Sequence, residues 1–163
     1  MKIRATAEVL RDGWLYTGDY GYLDEEQFLH ITGRKKNVIV TQNGKNIFPE
    51  EVEYYLLKSD YIKEVVVTGE QDDKSGNLVV TAHIVPDQEM LRQNEGKLSD
   101  AEMEKLFKKQ VDIANAQMPP YKRVKRIQLR SEEFEKTSTM KIKRFGGNLD
   151  GKKNEVPEPV ADL

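Results

Sequence analysis

G-R-K-K-N-V-I-V-T-Q-N-G-K-N-I-F-P-E-E-V-E, residues Gly33 to Glu53, sets a charged joint, a buried strand, a glycine turn and a helix start one after another. Val38-Ile39-Val40 reads as a strand, and Asn43-Gly44 is among the strongest short turn signals. Gly44 supplies the positive backbone dihedral such a turn needs. Lys45 to Phe48 returns from the turn, and Pro49 opens a helix at a position where a missing N–H does no harm. Glu50, Glu51 and Glu53 then stand against the positive end of the helix dipole. Val52, Tyr55 and Leu56 form its apolar face, and the helix ends near Lys58-Ser59-Asp60.

Upstream, Gly13 to Tyr16 is a short apolar strand turned by Thr17-Gly18-Asp19. Gly21-Tyr22-Leu23 leads through the acidic Asp24-Glu25-Glu26 turn into Phe28 to Ile31, which predicts a β-hairpin. Downstream, Ile62 to Thr68 and Leu78 to Val85 alternate as strands, and the turn between them is too short for a crossover helix, so they pair antiparallel. The stretch from Pro86 to Lys97 is partly helical. Ser99, with Glu102 three residues on, forms a capping box that opens an amphipathic helix with Leu106, Val111 and Ile113 turned inward. Pro119-Pro120 stops it, Val124 to Leu129 follows as an edge strand, and Phe134 begins a closing loop. The expected fold class is α+β, a small antiparallel or mixed sheet flanked by helices.

The chain has 163 residues, enough to bury a real core as one domain of ordinary size. Its longest apolar runs, Val65 to Val67 and Leu78 to Val80, are strand-length and far short of the roughly 20 residues that span a bilayer. The N-terminus lacks the continuous apolar core of a secretory signal. There is no cysteine, so no disulfide or thiolate metal site forms, and only His30 and His83 offer imidazole. A cytosolic protein without a structural metal is the default. A net charge of −2 gives no support for a general nucleic-acid binder.

Thr17-Gly18-Asp19, the Gly33–Glu53 run and a last basic cluster, Lys136 to Arg144 (K-T-S-T-M-K-I-K-R), occur in order and at telling separations. Each alone is explained by turn chemistry or solvated charge. Together they resemble the C-terminal portion of the acyl-adenylate-forming ligases, the superfamily of acyl-CoA synthetases, peptide-synthetase adenylation domains and luciferases. The resemblance implies that Asp19 accepts hydrogen bonds from the ribose hydroxyls of ATP and that Arg34 contacts the ribose or a nearby phosphate. It puts Lys36 on a hinge about which a small lid domain pivots between two orientations. It puts Asn43, Gly44 and Lys45 on the loop that lets the pantetheine arm of CoA pass. The turn is one residue longer than the commonest version, so which of Asn43 and Gly44 faces the thiol stays open.

The family's usual run K-T-x-S-G-K-I-x-R puts Lys141 in the catalytic place. An ammonium group there stabilises the charge that develops as a carboxylate attacks the α-phosphate, worth roughly 3 to 4 kcal/mol. Met140 stands where glycine is usual, which should stiffen the loop. Lys122, Arg123, Lys125, Arg126 and Arg130 offer a second phosphate-binding patch, for nucleic acid or for the 3′-phosphate of CoA. Without interleaved exposed aromatics the nucleic-acid version is weak.

The resemblance covers about residues 5 to 145. It implies that residues 1–33 are terminal strands of a large N-terminal domain, that 34–145 form the lid, and that 146–163 are a disordered tail. The phosphate loop, adenine-binding motif and acyl pocket of that large domain have no candidate here, so an excised piece, inactive alone, is expected. An apolar patch around Trp14, Leu15 and Phe28 is then orphaned and open to self-association. G-R-K-K and N-G-K-N-I-F-P-E-E-V-E look closest to long-chain fatty-acid–CoA ligases. ATP, Mg²⁺, CoA and a fatty acid belong to the whole enzyme; the fragment holds no tight cofactor, no metal, no nucleic acid and no transmembrane segment. Its setting is cytoplasmic, with peripheral membrane association open to the full-length enzyme. Two alternatives stay: the lid of a peptide-synthetase or acyl-carrier-protein ligase, and a non-enzymatic α+β interaction module.

Overall fold

A computed structural model describes residues 9–72 and 76–144. The expected tail from Gly146 onward lies outside the described residues. Two small hairpins come first: β1 (Leu10–Arg11) with β2 (Trp14–Leu15), and β3 (Asp19–Leu23) with β4 (Leu29–Arg34). A 3₁₀ turn, Lys35–Asn37, leads to the short pair β5 (Ile39–Val40) and β6 (Asn46–Ile47), then to helix α1 (Pro49–Leu56). Strands β7 (Ile62–Gln71) and β8 (Leu78–Pro86) precede helices α2 (Gln88–Asn94) and α3 (Asp100–Ala116), and β9 (Arg126–Leu129) ends the order. This is the expected α+β fold.

The sheet runs β7-β8-β9. β7 and β8 are antiparallel, with Val67 opposite Ala82, whereas β9 lies parallel to β8, with Ala82 opposite Ile127. The parallel pairing follows from the connection, because α2 and α3 carry the chain across the sheet before β9 begins. Period-two alternation then divides the two faces. Val65, Val67, Val80, Ala82 and Ile84 share one cluster with Ile39, Ile47, Val52, Leu56, Phe107 and Val111. Val66 and Val85 form a second cluster with Phe134, against which Ile142 packs. The closing segment is thus pinned to the sheet face that the helices leave uncovered.

Helix α3 carries the expected capping box between Ser99 and Glu102. Its buried line is Phe107, Val111 and Ala114, spaced by four and three residues. Ile113, expected inward, is instead 52% exposed. Two residues past Val111 it stands about 200° further round the axis and faces solvent. The β1–β2 hairpin was not anticipated either, although Asp12-Gly13 is a turn signal. Both residues sit at positive φ, +50° and +79°, as the primed two-residue turn requires.

The N-terminal hairpins bury little. Trp14, Leu15, Tyr22, Phe28, Leu29 and Ile31 are all exposed, as expected for the region around Trp14 and Phe28. The β3–β4 hairpin touches the body through an edge-to-face pair, Tyr20 and Phe48, with ring centroids 5.5 Å apart. Gly33 is buried there, and a Cβ at that position would come within 2.7 Å of Glu50 Oε2. Among the described residues, no helix is long and apolar enough to cross a membrane.

Truncating the fully buried Phe107 to alanine should destabilise the chain by about 3–5 kcal/mol, read as a lower urea midpoint. Two carboxylates should act on stability with opposite sign. Hydrogen bonds from Lys63 and Lys136 hold the Glu133 carboxyl down at about 2, below the ordinary 4.5, so its contribution is complete above 4.5 and lost as pH falls toward 2. Burial pushes the Glu53 carboxyl above 4.5 despite the pull of Arg144, so its contribution is complete below 4.5 and lost as pH rises through the folded value. Urea midpoints measured in steps of pH should therefore flatten below 4.5 in Glu133→Gln, and just above 4.5 in Glu53→Gln.

Candidate functional site

Asp19 and Arg34 are direct register partners across β3 and β4. Arg34 Nε lies 2.9 Å from Asp19 Oδ1, and Nη1 donates to the Thr17 carbonyl at 3.1 Å. Strand pairing alone therefore gathers a carboxylate and a guanidinium at the mouth of the hairpin, each partly exposed. A ligand bearing vicinal hydroxyls and a phosphate would find an acceptor and a cation side by side there.

Lys36 follows immediately, exposed in the 3₁₀ turn. The turn is short and has no side-chain cap, so few interactions oppose a change in its backbone angles. Asn37 donates to Glu50 Oε1 of α1 and ties the C-terminal end of this turn to the helix.

Asn43 and Gly44 form the β5–β6 turn, closed by hydrogen bonds from Gly44 N to Thr41 O (2.8 Å) and from Thr41 N to Lys45 O (2.9 Å). Gly44 has the expected positive φ, +71°. Thr41, Asn43 and Lys45 line a cavity of about 360 Å³ together with Tyr121, Arg123 and Lys125. The Lys45 ammonium stands 4.7 Å from the centre of the Tyr121 ring. The five basic residues from Lys122 to Arg130 do not act as one patch. Lys122 pairs with Glu51 at 2.6 Å, and Arg126 pairs with Glu70 at 3.1 Å and Asp72 at 2.9 Å. Glu70 also meets the fully buried His83. Arg123 Nε is held by the carbonyls of Asn115 and Met118, and among the described residues no carboxylate meets its charge. Lys125 lies beside it.

Lys141 sits on a closed loop. Lys136 and Ile142 form an antiparallel bridge at its neck. Thr137 N donates to Lys141 O at 2.8 Å, Met140 N to Thr137 O at 2.9 Å, and Lys141 N to Thr137 Oγ1 at 3.2 Å. Met140 takes φ +61°, a left-handed conformation that glycine would adopt without strain. The neighbouring cations are all engaged. Lys136 pairs with Glu64 and Glu133, Lys143 with Glu135 at 3.5 Å, and Arg144 with Glu53 and Glu50. Lys141 is exposed and makes no ion pair among the described residues.

Sequence reasoning missed the roles of Glu53 and Glu64. In the sequence Glu53 reads as a charge for the helix dipole, but in the fold it is buried, accepts from Val67 N at 2.7 Å and holds Arg144. Glu64 is buried in β7, accepts from Phe134 N at 3.0 Å and holds Lys136. A glutamate inside the apolar alternation of β7 was the available signal. Among the described residues no group of three or more His, Asp or Glu could hold a metal ion.

The AMP-binding enzyme C-terminal domain family matches residues 36–145. The long-chain-fatty-acid–CoA ligase of Bacillus subtilis is 39% identical over 143 residues, 88% of this chain and 23% of that protein. A 2-succinylbenzoate–CoA ligase of Bacillus cereus is 41% identical over 99 residues, 58% of this chain and 20% of that protein. Among solved structures, o-succinylbenzoate CoA synthetase from Bacillus subtilis, in complex with its acyl-adenylate intermediate, superposes with a TM-score of 0.62 at 29% identity, over 83% of this chain and 24% of that one. The chain thus spans less than a quarter of the length of these relatives. It belongs to the AMP-binding enzyme C-terminal domain family, the C-terminal domain of adenylate-forming acyl-CoA ligases.

Proposed function

We propose that this chain is the mobile lid of an ATP-dependent carboxylic acid:CoA ligase. The observation that carries the proposal is Lys141, exposed and without an ion pair among the described residues, on a closed loop whose other cations are all neutralised. In the first half-reaction a carboxylate oxygen bonds to the α-phosphorus of ATP. The bond from that phosphorus to the bridging oxygen breaks, and pyrophosphate leaves with the electron pair. The Lys141 ammonium neutralises charge spread between the attacking and leaving oxygens. Asp19 and Arg34 hold the ribose, so their mutual ion pair opens or widens to admit it.

The lid then turns about Lys36 and brings Asn43, Gly44 and Lys45 to the acyl-adenylate. A CoA thiolate bonds to the acyl carbon, and AMP leaves with the electron pair of the mixed anhydride. Arg123, Lys125 and Lys45, grouped around Tyr121, suit the phosphates of CoA, an argument for CoA over a carrier protein as acceptor. Residues 1–33 go with a large N-terminal domain, which covers Trp14, Leu15 and Phe28, and residues 34–145 are the lid. Mg²⁺ arrives with the triphosphate, held outside this chain. The acid is taken to be a long-chain fatty acid because the 39% match runs over 143 residues, against 99 for the 2-succinylbenzoate ligase. A cytoplasmic setting accords with this chemistry.

In the ligase formed by this chain and its large domain, Lys141→Ala should lower fatty-acid-dependent pyrophosphate release by about 10²- to 10³-fold. Thioester formation from supplied acyl-AMP should persist; undiminished pyrophosphate release removes the assignment. Arg123→Glu with Lys125→Glu should raise the KM for CoA about tenfold and leave the KM for ATP unchanged, and dephospho-CoA should feel the change less. A ligase that ignores CoA but acylates a carrier protein would establish the carrier-protein alternative instead.

A further inference from the structure

Both legs of the Lys141 loop end in ion pairs with carboxylates that are themselves inside the fold. On the incoming leg, Lys136 meets Glu64, which is 8% exposed and lies near the start of β7, just before its apolar run Val65 to Val67. The second Glu64 oxygen accepts from Phe134 N at 3.0 Å, fixing the backbone two residues before Lys136. On the outgoing leg, Arg144 meets Glu53, which is 7% exposed and whose other oxygen accepts from Val67 N at 2.7 Å. Between the legs, Ile142 packs on the Val66, Val85 and Phe134 cluster. Each carboxylate therefore bonds at once to a rigid part of the fold and to one leg of the loop.

Buried charges are a poor source of stability, since removing them from water costs several kcal/mol each. A surface turn of this size would close on its own backbone hydrogen bonds and Ile142 without them. What two such anchors add is position: they leave few orientations for the short segment between the legs. We propose that Glu64 and Glu53 are positioning residues for adenylation, holding through Lys136 and Arg144 the loop that presents Lys141; this rests on the lid function proposed above. They touch no substrate. Their effect is confined to the half-reaction in which Lys141 faces the α-phosphate, because thioester formation uses the other lid orientation and the Asn43–Lys45 turn.

The test is the ligase assembled with its large domain, carrying Glu64→Gln, Lys136→Met or Arg144→Met, with both half-reactions measured. Adenylation kcat should fall about 10- to 100-fold, the effect of a displacement of about 1 Å in a reacting group. The KM values for ATP and acid, and thioester formation from supplied acyl-AMP, should stay within about twofold. Lys136→Arg, which keeps a cation over Glu64, should retain adenylation. Equal loss in both half-reactions would mean that the pairs only support folding and would overturn the proposal, as would undiminished adenylation in all three variants. Lys136→Met and Arg144→Met keep the question open to measurement even if Glu64→Gln fails to fold. Lys141→Ala run alongside separates the two ideas. If it abolishes adenylation while the three variants do not, only the positioning role falls; if it too is without effect, the lid function itself falls.

Discussion

The carboxylate of Glu53 is the constraint on which the working surface of this domain depends. It leaves α1, enters the edge of the sheet at Val67 and meets Arg144 at the end of the closing segment. One buried side chain thus joins helix, sheet and loop. Burial raises the energy of its ionised form, and a guanidinium and a backbone N–H offset part of that cost. The outward N–H of Val67 would otherwise be an open site on the edge strand, so the same contact closes the sheet to a further strand.

The other glutamates of α1 extend the arrangement. Glu50 accepts from Asn37 beside the proposed joint at Lys36, and Glu51 takes Lys122, next to the Tyr121 that Lys45 overlies. A helix of two turns thereby touches the supports of the joint, of the Asn43–Lys45 turn and of the Lys141 loop. Such a body can move as one piece, because its loops are referenced to a common element rather than to one another. The division of charge serves the same end. In the closing cluster the cations with carboxylate partners are structural, and Lys141, which has none among the described residues, is the one proposed for chemistry.

The outline of this fold was legible because it rests on local signals. Pro49 and the Ser99–Glu102 capping box mark helix starts, Asn43-Gly44 marks a turn, and the alternation in β7 and β8 marks paired strands. The parallel placement of β9 was less accessible, since it depends on how α2 and α3 cross the sheet. Ile113 failed as a core residue because an apolar side chain can face solvent, and only the spacing of Phe107, Val111 and Ala114 selects the buried line. For the proposed site, motif order marks Asp19, Arg34 and Lys141. Glu53 and Glu64 are not marked, because their partners Arg144 and Lys136 lie far along the chain, and a charge in a helix or strand looks solvated until tertiary contacts are known. The same reason hid the neutralisation of Lys122 and Arg126.

Whether Glu53 truly couples sheet and loop is best read from native-state hydrogen exchange of this chain, compared with its Glu53→Gln variant. Losing a charged hydrogen-bonding partner of this kind is worth about 1.5–3 kcal/mol, or about 10- to 100-fold in exchange. The account predicts that protection drops by that factor at Val67 and, together with it, at Thr137 and Lys143, while α3 around Phe107 keeps its protection. Loss at Val67 with the loop amides unchanged would contradict it.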